Sequence, residues 1–313
     1  MQTKQHTIES LQHGARRQEC CQHLLSLNDL DINALITQLA FERLERKARD
    51  IMATFRQRGD SWNETFHAML LGVLGGMDNR GAMLMLSERV TSNMLMRENG
   101  SIVKLEALLL GGAGLLDIYG DDDYLSLLRE EFTHLAAKYN IMPMVAGEWQ
   151  LMGIYPHNHP TIRLTQLAAC FLNRDFTMQS AIQLRTSRQV YEFFSGETSD
   201  YWLQNYVPNN NRSVTSYRMG HIKSDLLGIN LIAPLMYAYS IYTQNSATLN
   251  HAIELQESIA PENNRLTQPW TRCGFELHNA VESQALIQLS KEYCAHQRCN
   301  SCPLARLLTR YKS

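Results

Sequence analysis

Three of the seven cysteines fall in one stretch near the chain end, YCAHQRCNSCP (Tyr293 to Pro303), with the spacing C-x4-C-x2-C. A Cys-x-x-Cys pair lets two thiolates face one ion across a tight turn, so Cys299 and Cys302 are candidate metal ligands. Cys294, at the end of a helical pattern, is the third. A closed zinc site needs a fourth ligand, and Cys273, His296 and His278 are the candidates. Cys273 is preferred as the softer donor, which would tie WTRCGF to the chain end. His296, two residues from Cys294, is an awkward simultaneous ligand. An iron–sulfur cluster is the runner-up to zinc, because the spacing is close to the plant-type ferredoxin pattern but no cysteine follows Cys302. The plain alternative is three reduced thiols packing a helical hairpin.

Two polar sets are the other candidates. Arg163 and Gln166 are one turn apart and share a helix face. Glu282, Ser283, Gln284 and Gln288 cluster on a helix whose apolar side carries Ala285, Ile287 and Leu289. Long polar residues beside apolar stripes either bind something or satisfy buried backbone groups. A buried arginine in particular needs a partner. If the two helix faces met around a pocket, they could form the site of an enzyme of unknown reaction class.

Other matches are weaker. LLLGGAGLLD (Leu108 to Asp117) interrupts a helical pattern, whereas a phosphate loop follows a strand, so its glycines read as close helix packing. GDDDY (Gly120 to Tyr124) lacks the terminal glutamate of a calcium loop and reads as a helix cap. HNH (His157 to His159) has no third ligand nearby and precedes Pro160 at a helix start. SIVK (Ser101 to Lys104) stands without the companion motifs of a serine acyl enzyme.

The elements that must position these residues are helical. In LAFERLERKARDIMATFRQR, Phe41, Leu44, Ala48, Ile51 and Phe55 recur at spacings of three and four and make one apolar stripe. Glu42 with Arg46, and Glu45 with Arg49, have the spacing of exposed ion pairs. Ser61 and Glu64 form a capping box for SWNETFHAMLLGVL. Pro160 suits a first helical turn, and Pro234 is expected to kink SDLLGINLIAPLMYAYSIY. Alternating strand patterns are absent. The fold class is all-α, a multi-helical globular array with a C-terminal cysteine cluster. A soft boundary near Tyr139 to Trp149 suggests an N-terminal helical subdomain over 1–142 and a C-terminal one over 143–313. Val207 to Gly220 reads as a long polar loop.

The chain has 313 residues, 44% of them hydrophobic, and 29 basic against 31 acidic residues, a formal net charge of −2. That balance gives no global attraction to nucleic acid or anionic membrane. Local basic runs exist: Arg43, Arg46, Lys47 and Arg49 on the first long helix, and Lys291, Arg298, Arg306, Arg310 and Lys312 at the end. A nucleic-acid-processing accessory role would use them, while solvated, ion-paired faces are the plain reading. The first twenty residues are polar, without a leader pattern. The longest apolar run, Leu226 to Tyr239, is short for a bilayer span. A cytoplasmic protein is expected, where clustered cysteines read as metal sites before disulfides.

HPTIRLTQLA, SDLLGINLIAPLMYAYS, PENN followed by a tryptophan, and ESQALIQLSKEYC with RCNSC together resemble the domain-of-unknown-function family twenty-eight fifty-one, typical of Bacteroidetes. FERLERKARDI, KLEALLLGGAGLLDIYG and EEFTHLAAKYNIMPM fit the same pattern, so the resemblance runs from about Leu39 onward. It implies no activity. It does mark positions here, among them Arg43, Lys47, Glu106, Arg163, Gln166, Asp225, Asn230, Glu262, Asn263, Ser283, Gln284 and the three tail cysteines. Family members usually carry a further β-rich N-terminal part, which this sequence does not show, and LLGVLGGMDNRGAM departs from the family's usual run. The tail also resembles, locally, the iron–sulfur end of helix-hairpin-helix DNA glycosylases, where a fourth cysteine follows. Taken together, the sequence points to an interaction or scaffold protein stapled by a structural metal, with a protein partner ahead of nucleic acid and no membrane.

Overall fold

A computed structural model describes residues 19–120, 122–205, 207 and 218–311. The polar N-terminal stretch 1–18, most of the expected loop (208–217), Asp121 and Lys312 lie outside the described residues. Helices account for the regular structure, with no β-strand among the described residues, so the all-α expectation holds. The chain divides into two compact units, residues 48–255 and residues 1–47 with 256–313. The expected boundary at 142/143 falls inside the first of these.

The helix Asp29–Gln57 follows from its stripe: Leu44, Ala48, Ile51 and Phe55 are all buried. Its charges do not stay local, since Arg46 lies 3.4 Å from Glu292 and Glu42 accepts the Tyr293 hydroxyl at 2.8 Å. At the next helix, Trp62–Leu74, the Ser61 side chain caps Glu64 N as expected. The Glu64 carboxylate reaches past the Arg80–Arg89 helix to the start of the Ser92–Arg97 helix, accepting from Ser92 N, Ser92 Oγ and Asn93 N. The caps at Asp122 and His159 fall where the sequence placed them, and Ser101, read in the sequence only as a chance S-x-x-K match, also caps a helix.

The glycines of LLLGGAGLLD serve close packing. A Cβ on Gly111 would lie 2.2 Å from the Phe132 ring, and one on Gly114 would lie 1.9 Å from the Met144 carbonyl. Gly114 also has φ +66°, where a side chain is strained. A π-turn over Ala107–Gly111 precedes them. Another, Gly228–Ile232, stands just before Pro234, whose missing N–H it absorbs. The helical run His221–Thr243 is thereby 23 residues long, enough by length and composition to cross a membrane, but 61% of its apolar window is buried within the protein, as in a core helix.

Candidate functional site

The helix Pro160–Phe171 is buried along its whole length, and its first two turns carry Arg163 and Gln166. His159 caps it: the ring Nδ1 accepts from Thr161 N at 3.3 Å, and burial lowers the imidazole pKa, which keeps the acceptor nitrogen free of a proton. Arg163 donates to Gln166 Oε1 at 2.9 Å and to Asn158 Oδ1 at 3.1 Å. Both of these acceptors are neutral side-chain amides.

Arg163 and Gln166 line a groove of about 640 Å³ within residues 48–255. That volume lies in the range of small-molecule sites. One wall is the turn from Gly75 to Asn79. Gly75 is required there, because a Cβ would sit 2.6 Å from the Asn79 carbonyl, and Gly76 is left-handed at φ +63°. Buried Asn79 exchanges two 2.9 Å hydrogen bonds with the backbone of Gln150, which fixes the turn. The facing wall is the start of the His221–Leu227 helix, with Ile222, Lys223 and Leu226. Met77, Ile154, Tyr155 and His157 complete an apolar and aromatic rim.

Lys223 is the residue that sequence reasoning missed. Its Nζ donates to the Val73 carbonyl at 3.1 Å, and burial, with repulsion from Arg163, brings its pKa down to about 8. Its signal was a cation in the first turn of an apolar helix, the end where the dipole disfavours positive charge. No side chain caps that helix at Gly220, and none caps the Arg80–Arg89 helix at Asn79. Arg218 and Asp78 also line the groove, and Arg218 is ion-paired with Glu197. Asp225, also marked by the sequence, accepts from Ser187 Oγ at 2.5 Å and fastens one helix to the next.

The second polar set lies in the other unit. There Arg43 Nε donates to Gln284 Oε1 at 2.5 Å, and Gln284 Nε2 donates to the Glu262 carboxylate. Ser283 Oγ accepts from Glu262 N at 3.0 Å, and Glu282 accepts from His278 N at 2.6 Å. Ser283 and Glu282 therefore satisfy local backbone. Asn263 lines a separate hollow of about 560 Å³ with Glu262, Thr267 and His278.

The cysteines arrange differently from the expectation. Cys273 pairs with Cys21 in a disulfide, across a Cα separation of 6.5 Å, so it does not stand as the fourth ligand of the tail. Among the described residues no group of three or more His, Cys, Asp or Glu side chains is placed to hold a metal ion. Cys302 is buried in an apolar cluster with Cys21, Trp270, Leu286 and Leu304, against which Cys273 and Cys294 also pack. Cys299 is exposed. Burial raises the Cys302 thiol pKa, and the N–H groups of Ala305 and Leu304, donating to its sulfur, oppose that rise.

The family model described as a protein of unknown function (DUF2851) matches residues 1–265, and the chain belongs to that family. The match holds the groove and Arg43, and ends before Cys273, the Glu282 to Gln284 set and the tail. No curated protein and no solved structure matches the chain.

Proposed function

We propose that this protein is a binding protein for an anionic small molecule that carries an apolar or flat portion, held in the groove between the Gly75–Asn79 turn and the His221–Leu227 helix. The observation that carries this reading is the pairing of buried Arg163 with Lys223 on one groove wall. Burial first, and then repulsion from Arg163, brings Lys223 down to about 8, and an anion beside the two cations would offset both costs. The two helix starts without side-chain caps favour negative charge at the same place. The exposed rim, with Met77 at 94% and Ile222 at 81% exposure, supplies apolar surface for the rest of the ligand. Calorimetric titration of the pure chain with phosphate, carboxylate and nucleotide compounds tests it. Binding of at least one class, lost in Arg163→Met and Lys223→Met, is expected. No binding at about 10 mM of any of them overturns it.

A metal staple at Cys294, Cys299 and Cys302 is a separate reading, supported by the backbone N–H groups aimed at the Cys302 sulfur. Those donors stabilise a thiolate, the form that binds zinc or iron. With Cys273 committed to Cys21, the fourth ligand would come from elsewhere, His296 being the nearest in sequence. Elemental analysis decides it: stoichiometric zinc or iron supports the staple, and metal-free protein with all three thiols open to alkylation removes it.

A further inference from the structure

We propose that the unit formed by residues 1–47 and 256–313 holds a second, independent site, for a terminal phosphate group, where Arg43, Arg46 and Lys47 of the Asp29–Gln57 helix come together with Lys291. The two basic runs seen in the sequence are far apart in the chain, and folding merges part of each into one cluster.

Arg43 is the anchor. It is only 6% exposed, and its Nη1 is buried with no hydrogen-bond partner. Its acceptor, Gln284, is a neutral amide that stands between the guanidinium and the Glu262 carboxylate. A buried guanidinium without a directly paired anion is expensive. Its neighbours add to the cost. Arg43, Arg46, Lys47, Lys291 and Arg265 act on one another at short range, against the carboxylates of Glu262 and Glu292. Glu292 is already taken by Arg46 at 3.4 Å. Burial first, then repulsion from Arg46, brings the Arg43 pKa down to about 10. Burial, then Arg43, lowers Lys47 well below the ordinary lysine range, and the same two causes lower Lys291. A dianion beside these groups would relieve desolvation and repulsion together.

The graded exposure selects the kind of anion. Lys291 and Arg265 are exposed, Arg46 and Lys47 half-buried, and Arg43 buried. A group at the end of a ligand can follow that gradient inward, while an internal phosphodiester, flanked on both sides, cannot reach Arg43. A terminal phosphate offers two charges and several acceptors to a guanidinium and ammonium groups. It can belong to a small phosphomonoester or to the phosphorylated end of a nucleic acid.

The experiment uses the full chain. Inorganic phosphate and a nucleoside monophosphate are titrated calorimetrically, and an end-phosphorylated oligonucleotide is compared with the same strand ending in hydroxyl by fluorescence anisotropy. Binding of the phosphorylated species is expected to persist in the Lys223→Met background, where the groove is disabled, and to weaken about tenfold or more when Arg43→Met or Lys291→Met is added. Lys291 is exposed, so its variant folds even if the Arg43 variant does not. Preference for the phosphorylated oligonucleotide over the monophosphate assigns the nucleic-acid end, and the reverse assigns a small metabolite. Equal binding of the hydroxyl-ended strand, no phosphate binding at about 10 mM, or full affinity in both Arg43→Met and Lys291→Met overturns the site. Binding lost in Lys223→Met alone overturns this inference and leaves the groove standing.

Discussion

Glu106 and Arg43 are both buried charges, one in each unit, and their surroundings differ in kind. Glu106 is 0% exposed and takes donors from every side: the Tyr124 hydroxyl at 2.7 Å, Trp202 Nε1 at 2.7 Å, and Ser199 through Oγ at 3.3 Å and N at 3.4 Å. Burial raises its carboxyl pKa, and the same donors hold it back. Arg43 has a neutral amide on one side, an open Nη1 on the other, and like charges around it. A closed polar cluster fastens structure, in this case residues 199–202 to the Ile102–Glu106 helix. An open cluster leaves binding capacity unused.

The largest effect that would test the contrast is at the closed cluster. Glu106→Ala strands several buried donors and should cost about 3–5 kcal/mol in denaturant unfolding, while Glu106→Gln should cost less by keeping acceptors. A loss under about 1 kcal/mol would break the distinction.

Next in size is the pH response of the groove. An anion favours the Lys223 ammonium, so its bound-state pKa lies above about 8. Affinity should therefore be full below that pH, fall roughly tenfold as pH rises above it, and be accompanied by proton uptake on binding near about pH 8. Calorimetry in buffers of different ionisation enthalpy reads the uptake. A pH-independent affinity would remove Lys223 from the site.

Glu98 gives a smaller effect. Burial alone would raise its carboxyl pKa, but hydrogen bonds from Lys138 and Tyr139 outweigh that and bring it to about 2. Its folded value is depressed, so its contribution is present above the ordinary carboxylate pKa and is lost as pH falls toward about 2. Because the Lys138 side is open to solvent, Glu98→Gln should cost only about 1–2 kcal/mol at neutral pH, the difference vanishing in acid.

The smallest effect is at the open cluster. Arg43→Met should stay within about 1 kcal/mol of the parent stability or exceed it, since a poorly paired buried charge is exchanged for an apolar side chain. A loss of several kcal/mol would show that Arg43 is architecture like Glu106.

The helices, the caps at Ser61, Asp122 and His159, and the packing role of Gly111 and Gly114 were legible in the sequence, because periodicity and capping act within a few residues of the chain. Arg163 and Gln166 were legible as a shared face for the same reason. Lys223, some sixty residues further on, was not, because nothing local says which groove a first-turn lysine borders. The partner of Glu64 was missed because a carboxylate can cap a helix from a distant segment as well as its own, here one that starts 28 residues further on. Cys273 was misassigned because spacing alone cannot show that Cys21, 252 residues away, is its neighbour.

By itself, then, the sequence determined the helical character of this protein, its family, and which polar residues ride on apolar helices. Short-range sterics and hydrogen bonding decide those matters. The tertiary structure alone decided which buried charges are closed and which are open. That depends on acceptors and counter-charges brought in from distant segments, as Gln284 is to Arg43 and Trp202 is to Glu106.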